Sequence, residues 1–231
     1  MLQQTQTGTV SEKFLKFIQL FPDFKSLANA PLGDVLKAWQ GLGYNRRAIA
    51  LKKIAEIVIN EYNGVLPNSI DSLKRFPQIG HNTACSIITF AFNVSTAFIE
   101  TNIRRVFLYF FFPSRKKVQD KEILPLVKKT SDQDTPREWY YALMDYGVML
   151  KKTHPELNKQ SAHYRKQNQF KGSNREIRGE ILRLLLDKQP LREQVIIDTL
   201  KKNPDRIKLI IKSLIKEGFI KKEGLNFLIS K

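Results

Sequence analysis

Two stretches of this chain hold side chains whose type and spacing could do chemistry. The first is Phe76-Pro77-Gln78-Ile79-Gly80-His81-Asn82-Thr83-Ala84. Residues 73–76 end one helix, 77–80 make a tight turn, and His81 opens the next helix. A turn feeding a helix N-terminus presents unpaired backbone N–H groups with the helix dipole behind them, which favours a phosphate. Any hairpin of two helices offers a similar turn, so the purely structural reading stays open. The second stretch, some 20 residues on, is Phe98-Ile99-Glu100-Thr101-Asn102-Ile103-Arg104-Arg105-Val106. Its lone acid, Glu100, fits an N-cap, or an ion pair with Arg104 and Arg105 four and five residues later.

Other reactive side chains are sparse. Cys85 is the one cysteine, which excludes an internal disulfide and a cysteine-rich zinc or iron–sulfur site. His81, His154 and His163 lack carboxylate or thiol neighbours at metal-ligand spacing, so no metal and no cofactor is expected. The charge is more telling. Lys and Arg number 39 against 22 Asp and Glu, a formal +17 in 231 residues. Residues 1–171 hold 25 basic and 14 acidic side chains, and 172–231 hold 14 and 8. Both parts are therefore basic, which points to a polyanionic partner, nucleic acid or an acidic membrane surface. The densest run, 151–175, sets seven Lys or Arg against Glu156 alone. It reads equally as a solvated linker or a phosphate-contacting strip. No apolar run approaches the ~18 residues of a membrane span. The start, MLQQTQTGTV, lacks the basic flank and apolar core of a signal peptide. A cytoplasmic globular protein of one to two domains is expected.

The elements that must position these residues are mostly helices. Phe14, Phe17, Ile18 and Phe21 fall at helical spacing until Pro22. Pro31 leads into Val35, Leu36 and Trp39, a helix closed by Gly41 and Gly43. Residues 46–62 form a further amphipathic helix. Thr135-Pro136-Arg137-Glu138 combines an N-cap, a first-turn proline and a capping-box glutamate. Residues 153–172 lose periodicity and read as a linker. Ser173 and Glu176 then start a helix, two more follow over 191–200 and 203–217, and 219–229 alternates around Glu223-Gly224 as a hairpin would. Three helices and a hairpin in about 60 residues form the pattern of a winged helix. The Phe-rich run 107–112 is expected in the core.

Five segments, in order, resemble a known family. Met1-Leu2-Gln3-Gln4-Thr5-Gln6 is similar to "MLQQTQV". Residues 36–44 (LKAWQGLGY) are similar to "LxxWxGLGYYxRA", 76–84 to the helix-hairpin-helix signature "LPGVGxxTA", 100–106 to "DGNVxRV", and 144–147 to "MDLGA". Together they cover roughly residues 1–150 and resemble helix-hairpin-helix DNA glycosylases related to endonuclease III, within these the A/G-specific adenine type. The resemblance implies an all-α, two-lobed fold over 1–152. A basic linker, 153–172, and a winged-helix-like domain, 173–231, would follow. It also implies a monomer that binds duplex DNA with a mispaired or damaged base, rotates a nucleotide out of the stack and hydrolyses its glycosidic bond. Glu100 matches the family's catalytic aspartate and Asn102 its neighbouring asparagine. Gln3, Gln4, Tyr44, Arg46, Gln78, Gly80, His81, Asn82, Arg104, Lys151 and Lys152 would face DNA. Asn82 stands where bifunctional relatives place a lysine nucleophile, so Schiff-base strand cleavage is not expected.

Four departures accompany this resemblance. The family's general acid precedes "MLQQTQ" by two residues, and this chain begins at that methionine. The start is therefore expected to be misassigned or trimmed, or the activity reduced. The catalytic aspartate is a glutamate here. The four cysteines of the family's [4Fe–4S] cluster fall on Lys151, Asn158, Ser161 and Gln167, and the surrounding lysines and arginines are expected to supply the positive surface instead. A winged-helix-like segment stands where adenine-specific relatives usually continue into a Nudix-like domain. Its Lys208, Lys212 and Lys216, along one helix face, read equally as DNA contacts or a solvated face. Two readings follow: an adenine glycosylase, or a catalytically impaired homologue that recognises mismatched or distorted duplex.

Overall fold

The structure, a computed structural model, describes residues 1, 2, 5 and 7–230. They form two units, Met1–Leu66 with Asn168–Lys231, and Pro67–Gln167. In the first unit the N-terminal helices are α1 (Thr7–Leu20), α2 (Phe24–Asn29), α3 (Leu32–Trp39) and α4 (Arg46–Glu61). Each break has a local cause. Pro22 follows α1, and the Asp23 carboxylate caps α2 by accepting from the Ser26 N–H at 2.7 Å. Val35, Leu36 and Trp39 fall on the buried face of α3.

The C-terminal part of the same unit runs α10 (Asn174–Lys188), β1 (Leu191–Arg192), α11 (Glu193–Leu200), α12 (Pro204–Lys216), β2 (Ile220–Glu223) and β3 (Asn226–Ile229). Its antiparallel sheet has the order β1-β3-β2, with Glu223 opposite Asn226 across a two-residue loop. This is the expected three helices and hairpin, with a two-residue strand too short to leave a periodic signal. It does not stand apart from the N-terminal helices. Ile181, Leu185, Ile211 and Phe219 share one hydrophobic cluster with Val35, Leu36 and Trp39. A Cβ on Gly33 of α3 would stand 3.9 Å from the Leu186 side chain and 4.0 Å from that of Ile229. The compact units thus cut across the sequential division at residues 152 and 172, because apolar faces far apart in sequence close over a common core.

The second unit holds α5 (Ile70–Lys74), α6 (His81–Phe92), α7 (Thr101–Phe111), α8 (Asp120–Thr130), α9 (Pro136–Thr153) and a 3-10 turn at Leu157–Gln160. Ile103, Phe107, Leu108, Ile123 and Tyr140 form its core. The Tyr140 hydroxyl donates to the Thr96 carbonyl and accepts from the Phe98 N–H, and burial pushes its pKa to about 12. Three expectations change here. The Phe run is only partly core: Phe107 is buried, while Phe110 and Phe111 face outward, as a helical period dictates. Helix α9 starts at Pro136 as read, but Thr135 makes no side-chain cap bond; Asp132 Oδ1 accepts from the Asp134 and Thr135 N–H groups and so fixes the turn that precedes the helix. Residues 153–167 are docked. Leu157 is buried, Val118 donates to the Gln160 carbonyl, and Ala162 donates to that of Val118, both at 2.9 Å.

Candidate active site

The turn between α5 and α6 opens a 12-residue helix whose N-cap, Gly80, has no side chain to occupy its first N–H groups. Gln78, Gly80, His81 and Asn82 are all exposed there. Backbone donors and dipole therefore face outward together, as an anion site requires. Gln78 adopts φ +61°, the left-handed region. The related signature has glycine at this place. A side chain there costs roughly 1–2 kcal/mol, so the turn keeps its geometry against local preference. Behind it Cys85 is buried, its pKa raised chiefly by desolvation, with Sγ 3.5 Å from His81 Nε2.

Glu100 is the N-cap of α7. Its Oε1 accepts from the Asn102 N–H at 2.6 Å and the Ile103 N–H at 2.9 Å. The cap reading is therefore correct, and it is compatible with a catalytic one. Two N–H donors and a helix dipole hold the carboxylate in one place, and no hydrogen bond involves Oε2 among the described residues. Asn82 Nδ2 donates to the Ile99 carbonyl at 3.2 Å. The hairpin helix is thus tied to the residue immediately before the acid.

Neither arginine pairs with Glu100. Arg104 forks onto Asp120, with Nε and one terminal nitrogen each 2.7 Å from a carboxylate oxygen, and is turned to that contact rather than left open for DNA. Arg105 is buried, and one terminal nitrogen donates to Asn102 Oδ1 at 2.7 Å and to the Gly147 carbonyl at 2.5 Å. Desolvation lowers its pKa, and the Glu100 charge opposes that shift. Gly147 lies against α7 so closely that a Cβ on it would stand 2.5 Å from the Asn102 carbonyl oxygen. Arg105 and Gly147 thus fix Asn102, a role that residue types alone do not declare. The available signal was a glycine inside a helix of larger residues, where it costs about 1 kcal/mol against alanine and implies a packing reason.

In the other unit, the turn between α3 and α4 carries Tyr44 at φ +48°, half exposed, after Gly43 at φ +69°. Trp39 Nε1 donates to the Gly43 carbonyl at 3.0 Å. The Arg47 guanidinium lies 5.6 Å and 5.2 Å from the Trp39 and Tyr44 ring centres. Thr5 donates to the Leu42 carbonyl at 3.1 Å. Gln3 and Gln4 lie outside the described residues. Arg46 is exposed, yet its Nε donates to Glu217 Oε2 at 2.6 Å. Glu217 also accepts from Arg178 at 2.7 and 2.9 Å and from Ser213 at 2.6 Å. Hydrogen bonds from Arg46 first, then Arg178 and Ser213, hold its carboxyl at about 2, against an ordinary 4.5. A depressed carboxyl contributes stability above its unfolded value and loses it on acidification. Glu217→Gln is therefore expected to cost about 1–3 kcal/mol at neutral pH. The gap from wild type should close between pH 4.5 and 2 in denaturant titrations; a gap independent of pH would contradict the assignment.

Lys151 and Lys152 are exposed on the last turn of α9. The four positions of the implied iron–sulfur ligands do not fit a cluster. Lys151 offers an ammonium. Ser161 is buried and its hydroxyl accepts from the His163 N–H, and Asn158 Oδ1 is buried without a hydrogen-bond partner. No thiolate is among them, and Cys85 sits on α6.

Known proteins resemble this chain over much of its length. The chain is 36% identical over 163 residues to an adenine DNA glycosylase of Buchnera aphidicola subsp. Baizongia pistaciae, covering 68% of this chain and 46% of that one. It is 29% identical over 203 residues to an adenine DNA glycosylase of Mycolicibacterium smegmatis, covering 81% and 69%. The chain thus spans less than half the length of the Buchnera relative. Two solved structures share the fold. A thermostable thymine-DNA glycosylase has a TM-score of 0.55 at 24% identity over 64% of this chain and 70% of its own. An endonuclease III–DNA complex has 0.53 at 21%, over 65% and 69%. Residues 1–129 match the family described as HhH-GPD superfamily base excision DNA repair protein, more than half of the chain, and the chain belongs to that superfamily.

Proposed function

We propose that this chain is a monofunctional DNA glycosylase, acting as a monomer in the cytoplasm on adenine mispaired with guanine or 8-oxoguanine in duplex DNA. The observation that carries the reading is Glu100, held by two α7 N–H groups next to a segment tied to the uncapped hairpin helix. Breaking the bond between C1′ and the base nitrogen leaves positive charge on the sugar and the bonding electrons on the base. A fixed carboxylate opposite that sugar stabilises the developing cation; water adds to C1′ as hydroxyl, and the proton it gives up ends on the nitrogen of the departing base. Asn82 has no amine to attack C1′, so the product is an abasic site on an intact strand. The experiment is a duplex panel with adenine opposite 8-oxoguanine, guanine or thymine, scored for strand scission after alkali. Scission is expected only with the first two, and only after alkali.

A second reading, a homologue that binds distorted duplex without cutting the bond, is favoured by the glutamate at position 100, one methylene longer than the aspartate of the related signature. Tight binding with no scission in the panel would select it.

The basic run from the last turn of α9 to residue 166 should serve either reading. Lys151, Lys152, Lys159, Arg165 and Lys166 are all exposed. Replacing the five with glutamine is expected to flatten the dependence of log affinity on log salt by several units, at roughly 0.9 per phosphate contact. An unchanged slope would contradict a role in DNA contact.

A further inference from the structure

Helix α12 has one buried and one exposed face. Ile207, Ile210, Ile211 and Leu214 bury one side of this helix. Lys208, Lys212 and Lys216, spaced by four residues, fall on the exposed side, with Leu209 largely exposed beside them. At 1.5 Å rise per residue the three lysines span about 12 Å, comparable to three or four phosphates along one DNA strand. The acids of this region do not neutralise them. Glu217 is turned inward onto Arg46, Arg178 and Ser213, and Glu223 pairs with Lys221. Asp205, in the first turn, is the one acid on α12 itself.

The position of this row is the decisive point. Glu217, the residue after Lys216, contacts Arg46 at 2.6 Å, and Arg46 begins α4 directly after the Tyr44 turn. The lysine row therefore ends beside the N-terminus of α4, within one unit that shares a single hydrophobic cluster. The three lysines thus lie on a helix whose C-terminal end is tied, through Glu217, to Arg46, the residue that opens α4 after the Tyr44 turn.

We propose that this α12 face is a second duplex-DNA contact, continuous with the Tyr44–Arg46 turn, in which Glu217 positions Arg46 at the junction. Lys208, Lys212 and Lys216 would take backbone phosphates, and Leu209 would lie over the groove between them. The inference rests on the reading of this chain as a DNA-binding protein, and the test separates the two.

The full chain and the triple variant Lys208→Gln/Lys212→Gln/Lys216→Gln are titrated with an unmodified duplex over a range of salt. A second triple variant, Lys25→Gln/Lys128→Gln/Lys129→Gln, removes the same charge from other exposed positions. The α12 variant is expected to lower the salt slope by about 2–3, at roughly 0.9 per phosphate, while the control keeps the wild-type slope. Three results would overturn the proposal. The α12 variant could keep the full slope. Both variants could lower it equally, which would make the effect one of net charge. The α12 variant could keep DNA binding and lose binding to phosphatidylglycerol vesicles, which would assign the face to a membrane surface. If the wild-type chain binds no duplex at all, the DNA-binding reading fails and the inference goes with it.

Discussion

Gly147→Ala is expected to destabilise the second unit by about 3–5 kcal/mol and to lower its melting temperature by roughly 10 °C. The added Cβ would stand 2.5 Å from the Asn102 carbonyl oxygen, 2.7 Å from its Cβ and 2.8 Å from its carbonyl carbon. Most of these atoms are backbone, so no flexible side chain can move aside and α7 and α9 must separate. Separation removes the Gly147 carbonyl from Arg105, a buried guanidinium that then lacks one acceptor. Overpacking alone costs about 1–3 kcal/mol; loss of a partner by a buried charge raises the total. Thermal melting followed by circular dichroism reads the effect. Gly179→Ala is the internal reference, because its Cβ meets nothing within 4 Å on α10. That change is expected to be neutral or stabilising by up to about 1 kcal/mol. Equal effects at the two glycines would contradict the close crossing.

Glu100→Gln is expected to lower base release by at least ~10²-fold while leaving the fold within about 1 kcal/mol of wild type. Glutamine keeps the length and an oxygen that can accept from the Asn102 and Ile103 N–H groups, so the cap largely survives. The charge proposed to face the sugar does not. Glu100→Asp keeps the charge on a shorter arm and matches the residue type of the related family. It is expected to release base at least about tenfold faster than the glutamine variant. A merely structural role for Glu100 would give the reverse order, with glutamine tolerated and aspartate not. Single-turnover rates for the three proteins, each at saturating enzyme, separate these outcomes.

The local parts of the site were legible because local chemistry makes them. Pro77 and Gly80 mark the turn before α6, and Glu100 before Thr101-Asn102 marks an N-cap. What escaped notice depends on contacts distant in sequence. Arg104 was four residues from Glu100, yet Asp120, sixteen residues on, takes two of its three nitrogens. Thr135 had every feature of a cap, yet its hydroxyl makes no cap bond, and its own N–H is held by the Asp132 carboxylate. Gln78 is not a residue type that announces positive φ, so its strain shows only in three dimensions. The C-terminal segment read as a separate domain because its own periodicity is complete. Nothing in that period reveals that Leu186 and Ile229 close over Gly33.

The basic charge takes on a local meaning in the same way. It is a sum over sites with different neighbours. Arg104, Arg178 and Lys202 are engaged by Asp120, Glu217, and Glu176 with Glu180. Lys151, Lys152 and the α12 lysines stand exposed at positions where a polyanion could reach them. Salt slopes of the grouped variants are therefore more informative than total charge.

The most direct test of the account is a single-turnover reaction of the full chain with a duplex carrying adenine opposite 8-oxoguanine, the released base identified by mass. Free adenine is expected from the wild-type chain, with an unbroken strand until alkali is added and loss of release in Glu100→Gln. A chain that saturates the duplex and releases no adenine, or a Glu100→Gln variant that releases it at the wild-type rate, would contradict it.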